Sequence, residues 1–404
     1  MDRLFIAYTG PVIDSAASMN TVIVNKRGAD RIRGGHLWIY RSDLVKADAA
    51  GGSVVTVKDQ NRNFIGQAFY SDASQIALRF LTQSDEAIDR AWWERKIQEA
   101  VTRRNQIEPN TNAYRLIYSE GDLLPSIILD RYDDVLVLQT LSQGSDAIKP
   151  LLTELLAEKF HPRAIVERND VRVRQHEDLT LTNSVLYGSP PEEIEILQHG
   201  IKFSVSPLAG QKTGSFLDQR ENRMAARAIA FGRALDCFTF NGAFALHLAD
   251  VCDEVTGIDI SADAVHSAQN NAAINNTGNV KFIEANVFDA LREMETTGER
   301  YDTIVLDPPA FAKNRASVGA AARGYKEINL RALKLLNPGG VLVSCTCSYH
   351  MSEELFLKLI GEAASDAHKR LQMVEKRTQS SDHPILFGVP ETYYLKCVIA
   401  RVAA

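Results

Sequence analysis

Five alternations of strand-like and helix-like sequence, beginning at Arg233, constrain the fold of this chain more than any other feature. Such alternation predicts parallel strands joined by crossover helices, a doubly wound α/β sheet. Its first unit sets the chemistry. Ala234-Leu235-Asp236-Cys237-Phe238 reads as a strand, Asn241-Gly242 breaks it, and Ala243 to Val251 has helical spacing before a second strand, Val255-Thr256-Gly257-Ile258-Asp259. Ligands of open α/β sheets sit beyond the carboxyl ends of the strands. There a glycine permits a tight turn, and an acid ending strand two can accept hydrogen bonds from ribose hydroxyls. The arrangement suits a nucleoside-bearing cofactor.

A nicotinamide dinucleotide requires G-x-G-x-x-G, whose glycines admit a pyrophosphate against a helix N-terminus. Here Gly242 is followed by Ala243 and the bulky Phe244. A ligand without phosphates fits a single glycine better, with Asp236 facing a cationic group or an amine, and S-adenosylmethionine is such a ligand. An aspartate at a strand end also serves as a helix cap or a solvated loop residue, so this stretch alone leaves both readings open.

With 404 residues, the chain exceeds one ordinary core and should form two or three domains. Forty-five basic against 51 acidic residues give a net charge of -6, so nucleic-acid binding has to rest on a local basic surface. The five cysteines, at 237, 252, 345, 347 and 397, form no metal-type pair; no metal is expected, and a reducing, cytoplasmic setting is. No run of about 18 apolar residues is present to span a bilayer. Met1 to Asn20 reads as a flexible extension, with Met1 and Met19 both open as the natural start.

Residues 21–84 read as a small, mostly-β unit of β-branched and aromatic runs between Gly, Asn and Asp turns. Inside it, Lys26 to His36 reads as a basic loop in which Lys26, Arg27, Arg31 and Arg33 can reach phosphate oxygens; a solvated charged turn is the alternative. Residues 85–190 form an α+β unit. It opens on a helix from Asp85 to Ile107 that presents Trp93, Ile97 and Val101 on one face, and Trp92 and Trp93 read as core. Arg168, Arg172 and Arg174 cluster beyond its last strand. Residues 191–404 begin with a hairpin, Ile194 to Val205, and a dense polar block, Gln211 to Arg223; from Asp218 to Arg227 the capping and charge patterns of a helix need no ligand. Two strands without a full helix between them, Leu371 to Thr378 and Tyr393 to Val402, should close the sheet as an antiparallel hairpin.

Chemistry converges at two further strand ends. Asp307-Pro308-Pro309 stiffens the backbone after strand four and aims Asp307 at whatever binds there, for which a planar amidine-like base edge is suitable. Cys347 ends strand five, next to that position. Cytosine C5 is too weak a carbon nucleophile to take a methyl group directly, and addition of a thiolate to C6 converts the ring into an enamine. Thr346 and Ser348 offer hydroxyls to settle that thiolate, while Cys345 is the better candidate for a buried small hydrophobe.

The chain from about Thr21 to Ala404 resembles the bacterial large-subunit (23S) ribosomal RNA cytosine-C5 methyltransferases. The blocks that carry the resemblance are Gln211-Lys212-Thr213-Gly214 with Phe216-Leu217-Asp218-Gln219-Arg220, Asp307-Pro308-Pro309-Ala310-Phe311, Thr346-Cys347-Ser348, Asp382-His383-Pro384, and Pro390-Glu391-Thr392-Tyr393-Tyr394-Leu395-Lys396. The resemblance implies a multidomain α/β chain: an N-terminal PUA β-barrel that binds RNA, a central α+β domain, and a C-terminal class I, Rossmann-like seven-stranded domain for S-adenosylmethionine. It implies Gln211, Lys212, Phe216, Asp218, Asp236, Gly242, Asp259, Asp289, Asp307 and Pro308 around the cofactor. Cys347 is implied as nucleophile and Asp307 as the acid that holds the base, with Phe311 joining the basic residues on large-subunit ribosomal RNA. A homodimer stays open. Asp-Pro-Pro-aromatic also occurs in enzymes that methylate exocyclic amines without a thiol, and a non-catalytic RNA-binding assembly factor is a third reading.

Overall fold

The computed structural model describes residues 20–107, 109–208, 215–312 and 314–403. Among these residues, four sheets form. The first contains β1 (Thr21–Val24), β2 (Trp38–Tyr40), β3 (Leu44–Ala47), β4 (Val54–Asp59), β5 (Phe64–Tyr70) and β6 (Ile76–Thr82), in the order β2-β6-β5-β4-β1-β3. Its two outer strands are consecutive in the chain and joined by the 3-10 turn Arg41–Asp43, so the sheet curls around Val22, Ile39, Val57, Leu78 and Phe80.

The basic segment expected as a loop is instead a helix, α1 (Lys26–Arg33). Asn25 Oδ1 caps it by accepting from the Gly28 N–H at 2.9 Å, and Arg31 and Arg33 sit in the last turn, where the helix dipole favours cations. Its buried face is only Gly28, Ala29 and Ile32, too short a period to show among the charges. Gly28 itself is a packing residue, because a Cβ there would come within 3.2 Å of Asp43.

The second sheet holds β7 (Ala113–Tyr118), β8 (Ile127–Tyr132), β9 (Val135–Thr140), β10 (Ala164–Asn169) and β11 (Thr182–Gly188), in the order β11-β10-β9-β8-β7. β9 and β10 run parallel, joined through α3 (Gln143–Ala147) and α4 (Lys149–Phe160). Helix α2 (Arg90–Arg103) covers the sheet, with Trp92 and Trp93 buried edge-to-face at 4.7 Å. Arg168 and Arg174 are buried and paired with Asp170 and Asp146, so the basic cluster beyond β10 is largely salt-bridged. The hairpin β12 (Ile194–Gln198) and β13 (Ile201–Val205) follows as expected.

The last sheet is built from β14 (Arg233–Cys237), β15 (Glu254–Asp259), β16 (Val280–Glu284), β17 (Tyr301–Leu306), β18 (Leu336–Thr346), β19 (Leu371–Arg377) and β20 (Lys396–Val402). Helices α5 (Arg220–Arg227), α6 (Ala243–Ala249), α7 (Ala262–Ile274), α8 (Val287–Thr297), α9 (Val318–Leu335) and α10 (Glu353–Asp366) precede or connect the strands. The order is β16-β15-β14-β17-β18-β20-β19, parallel through β18, with β20 antiparallel to both neighbours. Strand order reverses at β14, so the carboxyl ends of β14, β15, β17 and β18 line the switch-point crevice.

The closing hairpin forms, but its second strand starts at Lys396 rather than Tyr393, because residues 378–395 leave the sheet to bind the other two units. The Asp382 carboxylate accepts from Arg220 Nη1 at 2.7 Å and from the Arg115 N–H at 2.9 Å, and its carbonyl accepts from Arg104 Nη2 at 2.6 Å. Further along, Leu386 and Val389 pack into the core of the first sheet, and Glu391 meets His36 at 3.3 Å. Burial works to raise the Asp382 pKa, but the charges of His383 and Arg220 and their hydrogen bonds outweigh it and hold the carboxyl far below the usual range.

Asp382→Asn therefore leaves the Arg220 guanidinium buried without its counter-charge, and should lower stability by about 3 kcal/mol in urea unfolding at neutral pH. A depressed carboxyl contributes its stability fully above the unfolded value of about 3.9 and loses it as the pH falls further. The gap between wild type and Asp382→Asn should accordingly narrow on acidification.

Candidate active site

The turn after β14 is strained. Phe238 and Phe240 adopt left-handed backbone with φ of 64° and 50°, conformations that cost non-glycine residues about 1–3 kcal/mol and cluster at ligand sites. Gly242 follows at φ 81°, where a Cβ would lie 2.9 Å from the Phe282 ring. Two carboxylates hold this turn. Asp236 Oδ2 accepts from Thr239 Oγ1 at 2.6 Å and from the Ala245 N–H at 3.0 Å, and Asp259 accepts from the N–H groups of Phe240 at 2.9 Å and Ser261 at 3.0 Å. Asp236 Oδ1 is buried with no partner. Burial pushes the Asp236 carboxyl up to about 7, against its bonds to Thr239 and Ala245 and with the charge of Asp307 adding to the rise. An orphaned carboxylate oxygen beside a one-glycine turn fits a phosphate-free ligand with a cationic head.

The polar block before β14 contributes from the other side. Phe216 packs edge-on to Phe240 at 5.0 Å. Asp218 does not cap a helix: the 3-10 turn Leu217–Gln219 has no side-chain cap, and Asp218 Oδ2 instead accepts from Tyr394 Oη at 2.6 Å. Two neighbours that sequence reading passed over are more central. Gln219 Nε2 donates to Asp307 Oδ1 at 2.7 Å. Arg223 is buried, donating to Gln198 Oε1 at 2.6 Å and the Phe216 carbonyl at 2.8 Å. Burial lowers its pKa to about 10, and the charges of Asp307, Asp218 and Asp236 work to keep it protonated. The signal of Arg223 in sequence was the hydrogen-bonding density of the block, and Gln219 also stands in the Phe216 to Arg220 block that carries the resemblance, with no role assigned to it there. Gln211 and Lys212 lie outside the described residues.

Parallel pairing of β17 with β18, in the register Leu306↔Ser344, sets the two chain ends side by side. Cys347 Sγ lies 3.9 Å from the Pro308 carbonyl oxygen, and Pro308 itself is buried. Cys347 is half-buried, whereas the other four cysteines are buried; Cys345 sits in the sheet opposite Cys397, as its core role requires. The flanking hydroxyls serve a different group from the one expected. Thr346 Oγ1 and Ser348 Oγ bond the Tyr325 hydroxyl at 2.7 and 3.0 Å, so they clamp the strand end around a buried phenol. Lys396, opposite Thr346 in the ladder, is a cation near Cys347: burial lowers its pKa, and the charges of Glu353 and Cys347 oppose that.

Phe311 follows the Asp307-Pro308-Pro309 turn and packs against Phe238 of the strained turn at 6.3 Å. Phe311 is half-buried in an aromatic cluster with Tyr325 at 4.7 Å and Phe288 at 6.0 Å. Asp289 is exposed in the first turn of α8 and paired with Arg292 at 3.3 Å. On α1, Arg27 is tied to buried Asp43 at 2.5 Å and Arg33 to Asp59 at 2.9 Å. Arg31 stacks on the Tyr40 ring at 4.5 Å, and Lys26 is exposed. Among the described residues no cluster of three or more His, Cys, Asp or Glu could hold a metal ion, and no helix is long and apolar enough to cross a membrane.

Residues 22–83 match the PUA-like domain family, and residues 162–397 match the S-adenosylmethionine-dependent methyltransferase family, whose match begins inside the second sheet. "Ribosomal RNA large subunit methyltransferase I" of Shewanella amazonensis is 41% identical over 377 residues, 91% of this chain and 95% of the relative. The protein of that name from Tolumonas auensis is 41% identical over 94% of this chain and 99% of its own length. Two solved structures share the fold at 20% identity over 95% of this chain and all of theirs: SMU.776 complexed with SAH, at a TM-score of 0.82, and a SAM-dependent methyltransferase from Streptococcus mutans, at 0.81. The N-terminal sheet is thus a PUA-like domain and the C-terminal sheet a class I methyltransferase domain that uses S-adenosylmethionine, and the chain belongs to the family of ribosomal RNA large subunit methyltransferase I.

Proposed function

We propose that this protein methylates C5 of a cytosine in large-subunit ribosomal RNA through a covalent bond between Cys347 Sγ and C6 of the base. The observation that carries this reading is the approach of a half-buried thiol, Cys347, to the Asp307-Pro308 turn, at 3.9 Å from the Pro308 carbonyl. Asp236, Gly242, Asp259, Phe216, Asp218 and Pro308 would hold S-adenosylmethionine, with Gln211, Lys212 and Asp289 at its edges. When bound, the cofactor supplies a methyl group on a positively charged sulfur. The Lys396 ammonium favours the Cys347 thiolate, which adds to C6 and pushes electron density to C5. Asp307 holds the N3 edge by donating its carboxyl proton as negative charge develops there. After methylation the C5 proton passes to water, its electron pair forms the C5–C6 double bond, and the C6–S bond breaks with its pair returning to the thiolate, which restores the aromatic ring and the enzyme. Lys26 and Arg31 support RNA contact on the PUA-like domain, where their charges keep access to solvent or to an aromatic face. Such a substrate fits a cytoplasmic protein.

Cys347→Ala should lower methylation of ribosomal RNA by roughly a thousandfold or more while leaving cofactor affinity intact. RNA carrying 5-fluorocytidine, whose fluorine cannot leave as a cation, should trap wild type in a denaturant-stable complex and leave Cys347→Ala untrapped. Activity that survives the substitution would instead assign the Asp307-Pro308-Pro309 turn to exocyclic-amine methylation.

Cofactor binding should depend on pH through Asp236. Its folded pKa of about 7 means that a cationic ligand binding below that pH must displace a proton. Affinity should therefore fall by up to roughly tenfold per pH unit below about 7 and level off above it. Calorimetry in buffers of different ionisation enthalpy should detect the proton released, and Asp236→Asn should bind weakly with no such dependence.

A further inference from the structure

We propose that Gln219 is a positioning residue for Asp307, and that Asn222 and Arg377 hold its amide in a single orientation. The proposal rests on the reading that Asp307 holds the base during thiol attack. Three hydrogen bonds join the ends of three elements. Arg377 Nε donates to Asn222 Oδ1 at 3.0 Å, Asn222 Nδ2 donates to Gln219 Oε1 at 2.6 Å, and Gln219 Nε2 donates to Asp307 Oδ1 at 2.7 Å. Gln219 is 2% exposed and Asn222 is fully buried, so neither amide can exchange these partners for water.

The direction of the chain follows from its fixed end. A guanidinium only donates, so Asn222 must turn its oxygen to Arg377. Its nitrogen then faces Gln219 and also the Thr378 carbonyl, at 3.0 Å, which only accepts. Gln219 must answer with its oxygen, and its nitrogen is left to meet Asp307. Arg377 is in turn anchored by an ion pair with Glu375 at the end of β19. The outcome is an N–H aimed at one oxygen of Asp307, which sets the plane of the carboxyl group and leaves its other oxygen for the base. The titratable groups near Asp307 among the described residues are Arg223 on α5, Asp236 at the end of β14 and the buried thiol of Cys345 on β18, which also meets the Gln219 amide. The amide makes no hydrogen bond to Arg223 or Asp236, so the relay acts on Asp307 separately from their charges.

Three variants test the relay by steady-state kinetics against pH on ribosomal RNA, beside equilibrium binding of S-adenosylmethionine and thermal unfolding. Gln219→Met keeps the volume and loses the donor; kcat should fall between roughly tenfold and a hundredfold, with KM and cofactor affinity little changed. Gln219→Glu reproduces both bonds when protonated and repels Asp307 when ionised, so its kcat should recover towards wild type as the pH falls while that of Gln219→Met does not. Asn222→Asp presents an acceptor where Gln219 needs a donor. It should turn the glutamine oxygen towards Asp307 and move the pH limb that reports Asp307 upward. Wild-type kcat and pH profile in Gln219→Met, or equal losses in Gln219→Met and Gln219→Glu at every pH, would overturn the proposal. Cys347→Ala in the same assay separates the two readings. An active Cys347→Ala sinks the thiol mechanism alone, and a dead one beside unaffected glutamine variants sinks the relay alone.

Discussion

The parallel pairing of β17 with β18 is the constraint on which the candidate chemistry depends. The pairing is backbone hydrogen bonding in the middle of a sheet, and both strands are buried along most of their length, so the register is enforced by burial on two faces. A slip by one residue would rotate Cys347 away from Pro308 and turn Thr346 towards the crevice. Tyr325 adds a second lock, since its buried hydroxyl bonds the residues on both sides of Cys347 and so fixes the backbone where the strand ends. The thiol is the side chain of this clamp that points neither into the phenol nor into the core.

Around that pairing the site is an electrostatic balance. Asp218, Asp236 and Asp307 converge on one buried arginine, Arg223, which stays charged although burial acts against it. Burial raises the Asp236 pKa to about 7, and the charge of Asp307 adds to that rise. The strained turn at Phe238 and Phe240 belongs to the same logic: its cost is met by the core beneath it and by two carboxylates that hold its N–H groups.

The loop between β19 and β20 links this balance to the rest of the molecule. Through Asp382 it joins α5 to the second sheet, through Val389 it enters the core of the PUA-like domain, and through Arg377 it reaches Asn222. The PUA-like domain, the second sheet and the methyltransferase sheet are therefore fastened by one excursion of the chain, with buried ion pairs whose loss on either side would leave an unpaired charge.

What could be read from the amino-acid order was whatever local periodicity and turn chemistry encode: the alternating units after Arg233, the glycine turn, the closing hairpin, the tryptophans of α2 as core, and Asp307 with Cys347 as a pair at neighbouring strand ends. Those features repeat over enough residues, or rest on residues special enough, to stand out. Helix α1 was hidden because its buried face is three small or short positions amid charges. Thr346 and Ser348 were misread as partners of the thiol because Tyr325, more than twenty residues earlier, claims both hydroxyls only once α9 packs on β18. Gln219, Asn222 and Arg223 were indistinguishable within a polar block, since an amide or guanidinium acquires a role only from the partner that burial forces on it. That partner comes from a distant strand end, and side-chain hydrogen bonding across such separations leaves no pattern in a single chain.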